Sequence, residues 1–321
     1  MQCCIKPLPL HDLEIPENES DNMNQLDNIN EIDEERMTLT KSDDITSELI
    51  NNDPNTNKYK EASLLFSHYI GYPYIKKHYR INYDIKQCFL SLFFIHNETM
   101  NIWSHLLSGI AAIILLIFRS LKKDKYVWIS DLILIGSIII FFASATCHLL
   151  NPICNSIKQN QFLFFFDFLG IMIGLMIFEV TFFYLLLINQ TESFNIIASI
   201  SCILNCLPII ARGMIINNDE LSKYDKLYSS VIGLNFILIL VSLFLSTSSF
   251  FLRVDIILPF IFSNLLLIGS VVFNLMLGYP EKKCHNQCSL CGASHQIWHF
   301  IVTIYLFSIY FQVENWENYA P

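Results

Sequence analysis

Beyond residue 98 the chain alternates long apolar runs with short polar breaks. Seven runs are long enough to cross a bilayer as helix, which takes about 20 residues. They lie near 102–118, 128–149, 162–188, 194–211, 228–246, 255–277 and 295–313. The pattern predicts an all-α membrane protein with seven transmembrane helices. Pro208 and Pro259 fall inside or beside these runs, where neighbouring helices satisfy the backbone groups that a proline frees. Before the first run, Ile85, Cys88, Leu92 and Ile95 recur at helical spacing behind the basic stretch "KKHYR" at 76–80. That combination predicts a short cytoplasmic helix lying on the membrane surface. Residues 1–56 show no sustained period.

Composition sharpens this division. The chain is 53% hydrophobic and 15% charged, with 26 Phe, far from the average of soluble domains. The charge is concentrated: Met1 to Thr56 hold fourteen acids against three bases, while the rest holds fifteen against seventeen. A segment so acidic and so poor in aromatics cannot bury enough surface to offset its chain entropy, and disorder is expected over 1–56. It lacks the basic and apolar regions of a signal peptide. The expected organisation is an acidic tail over 1–56, a basic and amphipathic cytoplasmic segment over 57–97, a seven-helix domain over 98–313 and a short extracellular or lumenal tail over 314–321. With the N-terminus cytoplasmic, ten Lys/Arg fall inside and five outside, which sets the expected orientation. The first outside loop dissents with Arg119, Lys122, Lys123 and Lys125. Membrane lipid is the expected surrounding, and no nucleic-acid partner is expected.

Polar residues interrupt the apolar runs at four places: Glu98, Asn101 and His105 at the start of span one, Ser144 and His148 at the end of span two, Asp167 at the start of span three, and His295 and His299 at the start of span seven. Odd spans start, and even spans end, on one side of the membrane, so all four groups fall at one depth. Residues i and i+4 share a helix face, so His295 and His299 can present imidazoles to one point, as Ser144 and His148 can from span two. Three imidazoles and a water match the open type of zinc site. Asp167 would hold that water or orient a ligand histidine, and Glu98 and Asn101 would cap span one and tie it to its neighbours. Taken singly, each has a plainer reading: a histidine at a span end facing interfacial water, or a carboxylate complementing a helix dipole. The joint pattern favours Zn2+ on His148, His295 and His299. His105 belongs to the polar layer around them, with no ligand role. Glu179, about 18 Å deeper than Asp167 at 1.5 Å per residue, is expected to pair with neighbours such as Asn205. The loop "CHNQCSLC" at 284–291 reads as a second zinc site, a lipidated patch or an incidental cysteine-rich loop.

"NETMNIWSHLLSG", "SATCHLL", "FDFLGI" and "SHQIWHF" together resemble the signatures of the progestin and adipoQ receptor family, related to the hemolysin III group. The resemblance covers about 70–313, and the polar positions match in full and in order. Two of the motifs are particularly similar to a Golgi, kinase-trapping branch of that family, and also to adiponectin receptors. The resemblance implies a seven-helix fold with the N-terminus inside, zinc on His148, His295 and His299, and Ser144 and Asp167 beside it as candidate catalytic residues. It also implies a signalling receptor of the Golgi or plasma membrane, with a lipid amide or steroid ligand and zinc-dependent hydrolysis of a ceramide-like amide. The alternative is a scaffold with structural zinc, in which 57–97 binds a cytosolic signalling protein such as a kinase through the basic run. The acidic leader and the cysteine loop depart from the family pattern.

Overall fold

The structure, a computed structural model, describes residues 74–317 with breaks at 76, 122–126, 155, 216–230 and 285–287, and with only scattered positions between 231 and 276. Among the described residues it is all-helical. The elements are α1 (Ile85–Leu90), α2 (Thr99–Ser120), α3 (Val127–Leu150), α4 (Ile157–Leu186), α5 (Thr191–Ile215) and α6 (Ser294–Glu317), with 3-10 turns at Ser91–Phe93 and Asn151–Ile153. Five of these, α2 to α6, are long and apolar enough to cross a membrane. They correspond to the expected spans one to four and seven. The expected spans over 228–246 and 255–277 fall largely outside the described residues, as do the whole of 1–56 and all of the tail beyond Glu317; the scattered positions described between 231 and 269 are helical.

α2 shows how the sequence reads as a membrane helix. Leu107, Ile110, Ile114, Ile117 and Phe118 are exposed along one side, while Asn101, His105, Ser108, Ala112 and Arg119 are buried on the other. The polar side faces the bundle and the apolar side faces outward, the arrangement lipid selects. α3 is central, packed against α2, α4 and α6, and α5 packs on α4. Helices in lipid gain little from the hydrophobic effect against one another, so close backbone approach and hydrogen bonds carry their association. Gly170 and Gly174 of α4 supply that approach. A Cβ on Gly174 would overlap Ile140 and lie 3.0 Å from the Gly136 carbonyl oxygen, and one on Gly170 would overlap Ala143. Deeper in the pair α4–α5, the Glu179 carboxylate accepts hydrogen bonds from Ser201 and, at 2.6 Å, from Asn205 Nδ2, the pairing expected for that residue.

At the far end of the bundle from residue 98, Arg119 pairs with Glu314 at 2.9 Å and with Glu317. Glu317 also accepts from the Ser130 amide at 2.9 Å. This buried cluster joins the ends of α2 and α6 to the start of α3.

The surface helix is shorter than the spacing of Ile85, Cys88, Leu92 and Ile95 predicts. Asp84 and Gln87 close a capping box at its start, but the α-helix ends at Leu90. Ser91 donates to the Cys88 carbonyl at 2.6 Å and accepts from Arg80 at 2.7 Å, which draws the following turn against the bundle. Cys88 and Ser91 are therefore the buried residues, while Ile85, Phe89, Phe93 and Ile95 form an exposed apolar outer face.

Candidate metal centre

Each side chain of the centre is held by the end of a helix. At the start of α2, Glu98 occupies the N-cap position without capping the helix through its side chain. Its carboxylate instead faces inward and accepts from Asn97 Nδ2 at 3.2 Å, Asn101 Nδ2 at 2.6 Å and His148 Nδ1 at 2.9 Å. The turn before it is fixed by His96, whose Nδ1 accepts from the Glu98 amide at 3.1 Å. Burial, reinforced by the nearby Arg80, pushes His96 down to about 3, which keeps that nitrogen an acceptor.

At the end of α3, Arg80 caps carbonyls that the helix leaves unpaired. Its Nη2 donates to the His148 carbonyl at 2.7 Å and its Nη1 to Leu149 at 3.2 Å. A cation at a helix C-terminus also complements the dipole. Arg80 is 1% exposed, so it belongs to the frame that places His148 and offers no outer contact. At the start of α6, Glu281 accepts from the Ser294 amide at 2.7 Å and from its hydroxyl. Gln296 receives the Ala293 amide at 3.1 Å and donates to the Asn97 carbonyl at 3.0 Å, tying α6 to the segment before α2.

These anchors bring three imidazoles together. His148 Nε2 and His295 Nε2 are 3.2 Å apart, as are His295 Nε2 and His299 Nε2. Ligand atoms of all three lie within 4.8 Å of one another. Two nitrogens on a tetrahedral zinc at about 2.0–2.1 Å are separated by about 3.3–3.4 Å, so the spacing suits a shared ion. Proton counting agrees. His148 turns Nδ1 to the Glu98 carboxylate, so the neutral ring carries its proton there and presents Nε2 as a lone pair. His295 Nε2 can form a hydrogen bond with only one of its two nitrogen neighbours, leaving a lone-pair contact that a cation relieves. The donor set fits a metal ion.

Asp167 reaches the same level from α4, beside Ser144 and within electrostatic reach of His148, while its Oδ1 is buried without a hydrogen-bond partner among the described residues. His105 lies outside the converging group, its ring 3.9 Å from that of His299, centroid to centroid. The structure thus brings His148, His295 and His299 into one group, at the level the parity of the spans predicts. The carboxylate hydrogen-bonded to His148 is Glu98, expected to cap span one and tie it to its neighbours, while Asp167 lies beside Ser144. Arg80 and Glu281 went unnoticed as anchors because nothing local in the sequence marks them. The Gly170-x3-Gly174 spacing was a readable small-residue signal.

The fold and the site define a multi-pass helical membrane protein with a buried three-histidine centre capable of holding a metal ion. Residues 93–310 match the model of the Haemolysin-III related family. The chain belongs to that family, the progestin and adipoQ receptor group. It is similar to heptahelical transmembrane protein 1 of Arabidopsis thaliana, 32% identical over 110 residues, covering 30% of this chain and 32% of the plant protein. It is also similar to the ADIPOR-like receptor IZH2 of Saccharomyces cerevisiae, 26% identical over 234 residues, covering 68% and 71%. Heptahelical transmembrane protein 5 of Arabidopsis thaliana is 44% identical over 54 residues, 17% and 14% of the two chains. The matches to the two plant proteins thus span a third or less of those relatives' length.

Proposed function

We propose that His148, His295 and His299 hold Zn2+ and that the protein hydrolyses a lipid amide of the ceramide class within a seven-helix bundle. The observation that carries this reading is the convergence of three imidazole nitrogens beside a carboxylate oxygen, Asp167 Oδ1, that has no hydrogen-bond partner among the described residues. Three histidines with an open fourth position are the pattern of catalytic zinc. Bound zinc would supply a water of pKa about 7 and polarise the amide carbonyl. The chain's own residues do the rest. Glu98 holds His148 in the tautomer that presents Nε2. Ser144, beside Asp167, helps to position its carboxylate. Asp167 accepts the water proton and returns it to the leaving amine, as general base and then acid. A steroid in the same place would bind without turnover.

A signalling role accords with the name of the yeast relative, a receptor, and a Golgi or plasma-membrane location with the N-terminus on the cytoplasmic side belongs to the same reading. In the alternative, a scaffold that recruits a cytosolic kinase through 57–97, Arg80 drops out of the basic contact because it is buried, leaving exposed residues such as Lys77.

Metal analysis and ceramide turnover on purified protein test the proposal together. Asp167→Asn is expected to keep zinc and lose about 100-fold or more of turnover. His299→Ala should lose both, and His105→Ala should keep the metal. Stoichiometric zinc without ceramide turnover removes hydrolysis from the reading. Wild-type protein without zinc, or His299→Ala with it, removes the metal.

A further inference from the structure

His105 is engaged by its ring face and by neither of its nitrogens. It is 3% exposed, and both ring nitrogens are buried without a hydrogen-bond partner among the described residues. An orphaned polar group costs free energy, above all in a bundle surrounded by lipid. The His105 ring lies 3.9 Å from that of His299, centroid to centroid, at an interplanar angle of 31°. The three converging rings meet one another differently: His299 stands at 70° to His148 and at 68° to His295. His105 is not a member of that group.

The placement of this ring follows from how α2 and α6 pack. One turn deeper, the Ser108 and Thr303 hydroxyls meet at 3.1 Å. At the other end of the contact Gln296 reaches the Asn97 carbonyl at 3.0 Å. These two contacts fix the register of the helices, and His105 and His299 lie between them. Phe141 of α3 also packs against His105, 5.2 Å away between centroids.

A ligand histidine ordinarily has its second nitrogen tied to a carboxylate, a carbonyl or a water, which fixes the orientation of the ring. His148 has Glu98 for this. His299 has no such tie: its Nδ1 is buried without a hydrogen-bond partner among the described residues. The Asn101 backbone runs near the His299 ring, and the His299 backbone near that of His105, in neither case with hydrogen-bond geometry. What lies against the plane of His299 is the face of His105.

We propose that His105 is a positioning residue of the metal centre, acting on His299 through ring stacking. The inference rests on the reading of the three histidines as zinc ligands. An imidazole that gives its lone pair to a cation becomes electron-poor, and a neutral aromatic face laid against it is then attracted more strongly. Stacking therefore favours the loaded state as well as aligning Nε2. The role belongs to the ring, so phenylalanine can fill it and a non-aromatic hydrogen-bonding side chain cannot.

Chelator competition for Zn2+ on purified full-length protein in detergent tests this with His105→Ala, His105→Gln and His105→Phe. All three are expected to keep the ion at saturating zinc. His105→Ala and His105→Gln should hold it about tenfold more weakly than wild type, while His105→Phe should stay within about threefold. Co2+ loading adds a spectroscopic readout: the visible ligand-field bands should shift in His105→Ala, where the His299 ring is free to turn, and return in His105→Phe. Wild-type affinity in His105→Ala overturns the inference and leaves the metal reading intact. So does a His105→Phe variant as weak as His105→Ala, and so does recovery in His105→Gln, which would assign the role to the nitrogens. Wild-type protein without zinc overturns both readings. Should His105→Ala fail to fold, His105→Phe decides alone, because it preserves the volume of the ring. Retained affinity and unshifted Co2+ bands then support stacking, and a loss of about tenfold rejects it.

Discussion

Replacing Glu98 tests whether the centre is held from behind. Three donors converge on this carboxylate, from Asn97 at 3.2 Å, Asn101 at 2.6 Å and His148 at 2.9 Å. In Glu98→Gln the amide oxygen can take the Oε2 position and keep Asn101 and His148, while the NH2 group meets Asn97. Asn97 Oδ1 is buried without a partner, so a flip of the Asn97 amide supplies an acceptor there. The glutamine variant then loses little beyond the negative charge behind His148. Partners of this kind contribute about 10–100-fold to metal affinity, and the glutamine is expected at the lower end, about tenfold or 1.4 kcal/mol. Glu98→Ala strips both strong donors of their acceptor. Each unsatisfied buried group costs about 1–3 kcal/mol, so the alanine variant should lose about 2–6 kcal/mol of stability and about 100-fold in zinc affinity. Chelator competition on purified protein, with thermal melting alongside, reads both quantities. If Glu98→Ala binds zinc as tightly as wild type while His299→Ala binds none, Glu98 does not orient His148 and the reasoning fails.

Two further substitutions probe the frame. Arg80→Ala removes the donor to the His148 and Leu149 carbonyls and to Ser91; at about 1.5–3 kcal/mol for a charged hydrogen bond, melting should fall clearly and zinc affinity with it, with Arg80→Lys recovering only part because one ammonium cannot span the same fork. Unchanged melting of Arg80→Ala would remove its role as a cap. Gly174→Leu should push α4 away from Ile140 and Gly136, costing about 1–3 kcal/mol and abolishing amide turnover while zinc content is kept; loss of zinc in parallel would show that the α3–α4 contact also sets the metal ligands.

The centre was legible because its signals are short-range. His295 and His299 four apart, Ser144 and His148 four apart, and the parity of span ends are enough to place the residues at one level. The choice between Glu98 and Asp167 as the partner of His148 was not legible, since both sit one helix away and only packing decides which reaches Nδ1. Arg80 read as part of a basic surface stretch because a lone charge in a polar segment gives no sign of burial; its acceptors lie 68 and 69 residues away in sequence. The helix over 85–95 was overextended because spacing alone does not reveal a serine that is bound by a distant arginine.

The ion pairs of Arg119 with Glu314 and Glu317, extended to α3 by the Ser130 amide, join the same three helices that meet at the histidines. α2, α3 and α6 are thus pinned at both membrane faces, like the uprights of a trestle. α4 is different: it leans on α3 through close contacts at its glycines, with Ile140 against Gly174 and Ile177 against Gly136, and takes no part in the Arg119 cluster. The ligands of the metal belong to the pinned members, and Asp167 belongs to the leaning one. Under the proposed function, a shift of α4 on admitting a bulky amphiphile would carry Asp167 aside without displacing His148, His295 and His299, which sit on the pinned helices. On that reading, retention of the ion and approach of the base would be mechanically separate events, and a variant blind to substrate would still be fully charged with metal.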